Sequence, residues 1–136
     1  MSDAPLTGHC LCGAVRFEID VPLTSASYCH CSRCQRRTGA AASAQAGLAP
    51  GSLRLVAGEE LVKTWWPPPP GFGKSFCSEC GGHLGSRDPE HPERLHSVRL
   101  GVIDGDPGVR PSLRHHTATA AVWEPIPDDA LPRRED

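Results

Sequence analysis

Cys29-His30-Cys31-Ser32-Arg33-Cys34 places three thiols within six residues. Two pairs flank it, Cys10-Leu11-Cys12 upstream and Cys77-Ser78-Glu79-Cys80 downstream, and no cysteine lies outside these three clusters. Zinc takes four ligands in a tetrahedron, and thiolate is among its preferred ones. Residues i and i+2 of an extended segment point to one side, so a C-x-C at a strand end aims both sulfurs at one ion. C-x-x-C does the same through a tight turn, and the glycines of Cys80-Gly81-Gly82 suit such a knuckle. The outer pairs Cys10, Cys12, Cys77 and Cys80 together make one closed, structural four-thiolate site. The triplet Cys29, Cys31 and Cys34 supplies three ligands and leaves a fourth position open, the arrangement of catalytic zinc.

Other readings of the thiols stay open. Disulfides fit poorly, because the count is odd and no signal-like apolar run begins the chain; a cytoplasmic, reducing setting is expected. The triplet could be redox-active, although the βαβ context of such motifs is missing. It could also close with an imidazole into a structural site, for which His9, His83, His115 and His116 are candidates. His30 lies inside the loop and is expected to point away.

The chain has 136 residues, a formal net charge of −2, 38% hydrophobic residues, and 14 each of glycine and proline. This size predicts a single domain over 1–136, with its core at about 8–123 and a flexible, proline-rich tail over 124–136. So little apolar material gains from a metal staple, because ligand binding becomes folding energy. The charge balance argues against a nucleic-acid partner, and no stretch approaches the roughly 20 apolar residues of a membrane span.

Residues 1–7 read as a loose lead into a metal-binding turn at Gly8–Gly13. Ala14–Asp20 alternates, with Val15, Phe17 and Ile19 facing inward. A second strand runs over Ser25–Cys29 into the triplet, and Ser32–Gly39 makes a helical turn stopped by Gly39. Ala40–Gly47 is small and apolar and packs close to other backbone. Leu53–Val56 and Leu61–Trp66 read as an antiparallel hairpin. Pro67–Pro70 reads as an exposed loop or as a rim carrying Trp65, Trp66 and Phe72 beside a site, with core packing favoured for the two tryptophans. His83–Ser86 makes a short strand, Leu95–Val102 alternates strictly, and Ser112–His116 and Ala120–Trp123 add edge strands. With no long helical period, the fold is mainly β, packed antiparallel sheets joined at their edges by metal.

Three pieces together carry a resemblance: Gly8-His9-Cys10-Leu11-Cys12-Gly13-Ala14-Val15-Arg16-Phe17, Cys29-His30-Cys31-Ser32-Arg33-Cys34-Gln35-Arg36-Arg37-Thr38-Gly39-Ala40, and Phe76-Cys77-Ser78-Glu79-Cys80-Gly81. The chain resembles the glutathione-dependent formaldehyde-activating family, which also includes centromere protein V, from about Gly8 to Trp123. Lys74 stands where an arginine is common in the family. The resemblance implies a β-tent of antiparallel sheets around two zincs per chain, structural at Cys10, Cys12, Cys77 and Cys80 and reactive at Cys29, Cys31 and Cys34. It implies carbon–sulfur lyase chemistry, the reversible addition of glutathione to formaldehyde.

An open three-thiolate zinc can bind an incoming thiol and lower its pKa. The expected partner is therefore a small thiol or thiol adduct such as glutathione. Arg36 and Arg37, just after the triplet, are candidates for pairing with its carboxylates, or else offset thiolate charge. His30 is a candidate proton relay. The alternative function is a non-enzymatic zinc module that binds a protein partner, which a histidine-closed second zinc favours.

Overall fold

The computed structural model describes residues 5–136. In chain order the strands are β1 Leu6–His9, β2 Arg16–Ile19, β3 Ala26–Cys29, β4 Ser43–Gly47, β5 Leu53–Ala57, β6 Val62–Trp65, β7 Gly73–Cys77, β8 His83–Arg87, β9 Ser97–Arg99 and β10 Pro111–His115. Among the described residues one α-helix, α1, spans Ser32–Thr38. The strands form two sheets, one ordered β1-β2-β5 and one ordered β10-β3-β4-β9-β8-β7-β6. Pairing is antiparallel except for β10, which runs parallel to β3. The protein is mainly β, as its sequence pattern predicts.

The alternation of β2 builds the core. Val15, Phe17 and Ile19 are buried, and Phe17 and Ile19 pack with Ala26, Ala46 and Val98 of the larger sheet. Ala26 and Ala46 are register partners across β3 and β4, so short side chains line the middle of this interface. A smaller apolar cluster, Cys10, Val15, Cys77 and Leu84, joins the sheets at a second place. There the metal-ligand candidates are themselves core residues, which couples ligand placement to packing.

Gly39 ends α1 as the sequence predicts. It adopts φ 70 and its N–H donates to Gln35 O, a left-handed cap that favours glycine. Ala40–Gly47 does lie close to other backbone, since β4 occupies the middle of the larger sheet between β3 and β9.

Several expectations are corrected. Leu53–Val56 and Leu61–Trp66 are strands but not a hairpin: β5 pairs with β2 and β6 pairs with β7, so the chain changes sheets between them. Alternation identifies a strand without naming its partner. Trp65 and Trp66 are exposed at 58% and 41%. Leu95–Val102 does not alternate throughout; Leu95 and Val98 are both buried, β9 covers Ser97–Arg99, and a 3-10 turn follows. Ala120–Trp123 forms no strand. Of the loose lead, residues 1–4 lie outside the described residues, and Leu6 and Thr7 belong to β1. Within the stretch 124–136, expected to be flexible, the backbone at Pro132–Arg134 lies parallel beside β10. Arg114 N–H donates to Pro132 O at 2.9 Å and Arg134 N–H to Arg114 O at 2.8 Å. The buried Arg114 guanidinium sits 4.4 Å over the Tyr28 ring and pairs with Asp129.

Candidate metal centres and the adjoining pockets

Cys10 and Cys12 flank the turn after β1, Cys77 ends β7, and Cys80 lies in the turn before β8. These four come from both sheets, yet their sulfurs all lie within 4.8 Å of one another. Cys10 Sγ is 3.6 Å from Cys12 Sγ, and Cys12 Sγ is 3.9 Å from Cys77 Sγ. A tetrahedron with zinc–sulfur bonds of about 2.3 Å has edges of about 3.8 Å, so the donor set fits a zinc ion. Backbone donors favour the thiolate form here. Val15 N–H donates to Cys10 Sγ at 3.3 Å, and although burial opposes it, that bond and the neighbouring thiols hold Cys10 below its ordinary pKa. The N–H groups of Cys12 and Gly82 pull Cys80 down to about 6.

The second cluster is built by one short segment. Cys29 is the last residue of β3, Cys31 caps α1, and Cys34 sits in its first turn. The Cys34 N–H donates to Cys31 Sγ at 3.3 Å, as an N-cap side chain requires. The three sulfurs lie within 4.8 Å of one another, and among the described residues no imidazole or carboxylate completes the group. The histidine-closed arrangement is therefore not formed. His9 faces Asp104 at 3.4 Å, and the His115 and His116 rings face each other with centroids 6.4 Å apart. His83 lies in the field of Arg37 and Arg99, its pKa lowered chiefly by burial. His30 is buried with its Nε2 3.1 Å from an Arg114 nitrogen.

A cavity of about 290 Å³ opens on the triplet, with Cys29 and Cys34 on one wall and Phe72, Lys74, His96 and Arg99 around it. Arg99 donates to Gln45 Oε1 at 2.9 Å, and the same oxygen accepts from the Ser43 hydroxyl at 2.7 Å. This chain steadies the guanidinium beside the sulfurs. The Cys29 thiol hydrogen-bonds Cys34 and, with Ser43, Cys31 and Arg99, draws it down to about 5; Cys29 is pushed up in return.

Next to it lies a pocket of about 410 Å³ lined by Arg33, Arg36, Arg37, Trp65, Pro67 and Lys74. Lys74 belongs to both cavities. Arg36 and Arg37 are thus close to the triplet but in the outer pocket. Arg37 is half committed to structure: its Nη2 donates to Ser75 O at 2.9 Å, and burial, followed by the charge of Arg99, pulls its pKa down to about 10. The sequence reading missed Lys74, Gln45 and Arg99 as site residues. Gln45 and Arg99 are register partners across β4 and β9, a pairing that no local pattern announces.

Two clusters of thiols that could each hold a metal ion, set on packed β-sheets, define the class: a mainly β protein with two candidate cysteine metal sites. A family model described as glutathione-dependent formaldehyde-activating enzyme matches residues 5–119. A protein of Halomonas elongata that carries the provisional name of a glutathione-dependent formaldehyde-activating enzyme is 32% identical over 106 residues, covering 74% of this chain and 67% of the relative. A crystal structure of a Rhodobacter sphaeroides protein superposes with a TM-score of 0.56 at 29% identity, over 74% of this chain and 89% of that one. This chain belongs to the glutathione-dependent formaldehyde-activating enzyme family. Among the described residues no helix is long and apolar enough to cross a membrane.

Proposed function

We propose that this protein is a zinc-dependent carbon–sulfur lyase that reversibly joins a thiol such as glutathione to formaldehyde or a related small aldehyde. The observation that carries the reading is the asymmetry of the two clusters. One gathers four thiols from both sheets; the other gathers three, faces a cavity, and recruits no further ligand among the described residues. Four ligands close a structural zinc site, and three leave room for a reactant. The family's name supports the thiol and the aldehyde.

In the forward reaction the thiol sulfur bonds to the carbonyl carbon, the C=O π bond breaks, and the thiol proton ends on the new hydroxyl. A zinc ion at the triplet supplies Lewis acidity that lowers the pKa of the incoming thiol. Cys29, Cys31 and Cys34 hold that ion. Arg99, steadied by Gln45, lines the cavity with N–H donors suited to the oxygen on which negative charge develops. Cys10, Cys12, Cys77 and Cys80 hold a second, structural zinc. None of the seven cysteines is paired in a disulfide, which suits a reducing compartment such as the cytoplasm.

The test is Cys31→Ala. The variant should lose one of two zincs and the rate of S-hydroxymethylglutathione exchange above the spontaneous reaction, followed by NMR, while its circular dichroism stays that of the parent. Undiminished exchange in a protein with one zinc would refute the reading.

A further inference from the structure

The sequence holds two lysines, and the fold places them differently. Lys63 is exposed on β6, the edge strand of the larger sheet. Lys74 is half-buried on β7, in register between Trp65 of β6 and Ser86 of β8. It lines both the cavity over the triplet and the outer pocket. The walls around it are partly apolar. Phe72 meets the His96 ring edge to face on the triplet side, with centroids 4.9 Å apart, and Trp65 and Pro67 stand on the other. Among the described residues no carboxylate lies within ion-pair distance of the Lys74 amine to hold it protonated. Burial pulls the ammonium below its ordinary pKa; the thiolates of Cys34 and Cys31 oppose this, and the charges of Arg37 and Arg99 reinforce it. A neutral amine has the lone pair that attacks a carbonyl carbon, and desolvation beside other cations is how a lysine comes to present one. The arginines of these cavities stay protonated and cannot take that role.

We propose that Lys74 is a covalent capture site for small aldehydes, its ε-amine forming an iminium that hands the aldehyde carbon to the thiol at the triplet. The hand-over rests on the proposed function; the capture does not. The amine nitrogen bonds to the carbonyl carbon, the C=O π bond breaks, and a proton passes from nitrogen to oxygen. The hydroxyl leaves as water with the proton that the thiol gives up, which leaves the iminium. The thiolate sulfur adds to its carbon and the π electrons return to nitrogen. Water then replaces the amine on that carbon, its hydroxyl staying on carbon and its proton going to nitrogen. The amine is restored, and the sum is aldehyde plus thiol giving the hydroxymethyl thioether.

Reductive trapping on the zinc-loaded, full-length protein tests it. Formaldehyde is added at neutral pH with sodium cyanoborohydride, whose hydride turns an iminium into a methylamine, and peptide mass mapping separates Lys74, Lys63 and the N-terminal amine. Lys74 should gain its methyl group about tenfold faster than Lys63. K74R, which keeps the charge and lacks the amine, should keep two zincs and exchange S-hydroxymethylglutathione at least about tenfold more slowly than the parent, whereas K63R should match the parent. Equal methylation of the two lysines, or K74R exchanging at the parent rate, overturns the capture site and leaves the proposed function standing. Preferential methylation of Lys74 in a parent protein that accelerates no exchange overturns the proposed function while the capture site survives.

Discussion

Replacing Cys77 with serine tests whether its cluster holds the fold together in a way the triplet does not. Cys77 is fully buried at the end of β7, in an apolar cluster with Val15 and Leu84. Its partners Cys10 and Cys12 come from the segment after β1, so an ion held by the four sulfurs ties the small sheet to the large one. Structural zinc contributes about 10–16 kcal/mol of apparent binding energy to small domains at neutral pH, and a domain's net stability is about 5–15 kcal/mol. Losing even a third of the smaller figure, about 3 kcal/mol, removes a large share of the stability. The serine hydroxyl left in an apolar pocket adds about 1–3 kcal/mol. Urea unfolding followed by circular dichroism, with zinc counted on the same sample, should show one zinc or none and an unfolding free energy lowered by about 4 kcal/mol or more, or no cooperative transition. Cys31→Ser is the control: it should lose the other zinc and leave the rest of the fold in place, because serine keeps a capping oxygen at the start of α1. A Cys77→Ser protein that keeps two zincs and the parent midpoint, or a Cys31→Ser protein that unfolds as readily, would refute the reasoning.

Other perturbations give equally definite outcomes. Gly85→Ala should lower the melting temperature sharply, because a Cβ there falls 1.9 Å from Ser97 O in the β8–β9 ladder and only backbone can move aside. Asp129→Asn should loosen the stretch 124–136, read as faster proteolysis there, since Asp129 pairs with the buried Arg114. The Arg114 hydrogen bond holds the Asp129 carboxyl below its ordinary pKa, so its stabilisation is present above the unfolded carboxylate value of about 4 and disappears as pH falls through the folded value. Urea midpoints of parent and variant should therefore differ at neutral pH and converge in acid; a gap that persists in acid contradicts the pairing. In metal-free, reduced protein, iodoacetamide at mildly acidic pH should label Cys34 before Cys29, because the hydrogen bond between them leaves Cys34 near 5 and Cys29 raised. Mass mapping that finds Cys29 labelled first would contradict that order.

The parts of the structure that follow from spacing were legible. C-x-C and C-x-x-C announce thiols gathered where a metal could be held, and the alternation of Val15, Phe17 and Ile19 predicts the buried face that β2 presents. Gly39 marks the helix end because a left-handed residue is needed there. What depends on long-range pairing was not legible. Leu53–Ala57 and Val62–Trp65 look like a hairpin because each is a good strand, but strand quality does not choose a sheet. Trp65 and Trp66 look like core by composition, yet they flank a proline loop at the open edge strand β6. Gln45, Lys74 and Arg99 reach the triplet from three different strands, so only the sheet order brings them together. Arg114 and Asp129 show the same limit: a polar, proline-rich segment reads as unanchored unless its buried partner is seen.

The central claim is that the triplet holds a zinc with a position open to a thiol. A native mass spectrum of the reduced, zinc-loaded protein, recorded with and without glutathione, addresses it most directly. The account predicts two zincs in both spectra and one glutathione adduct in the second, lost in Cys31→Ala together with one zinc. Two zincs with no adduct of glutathione or of any other thiol offered would contradict the open position, and a single zinc would contradict the second metal centre itself.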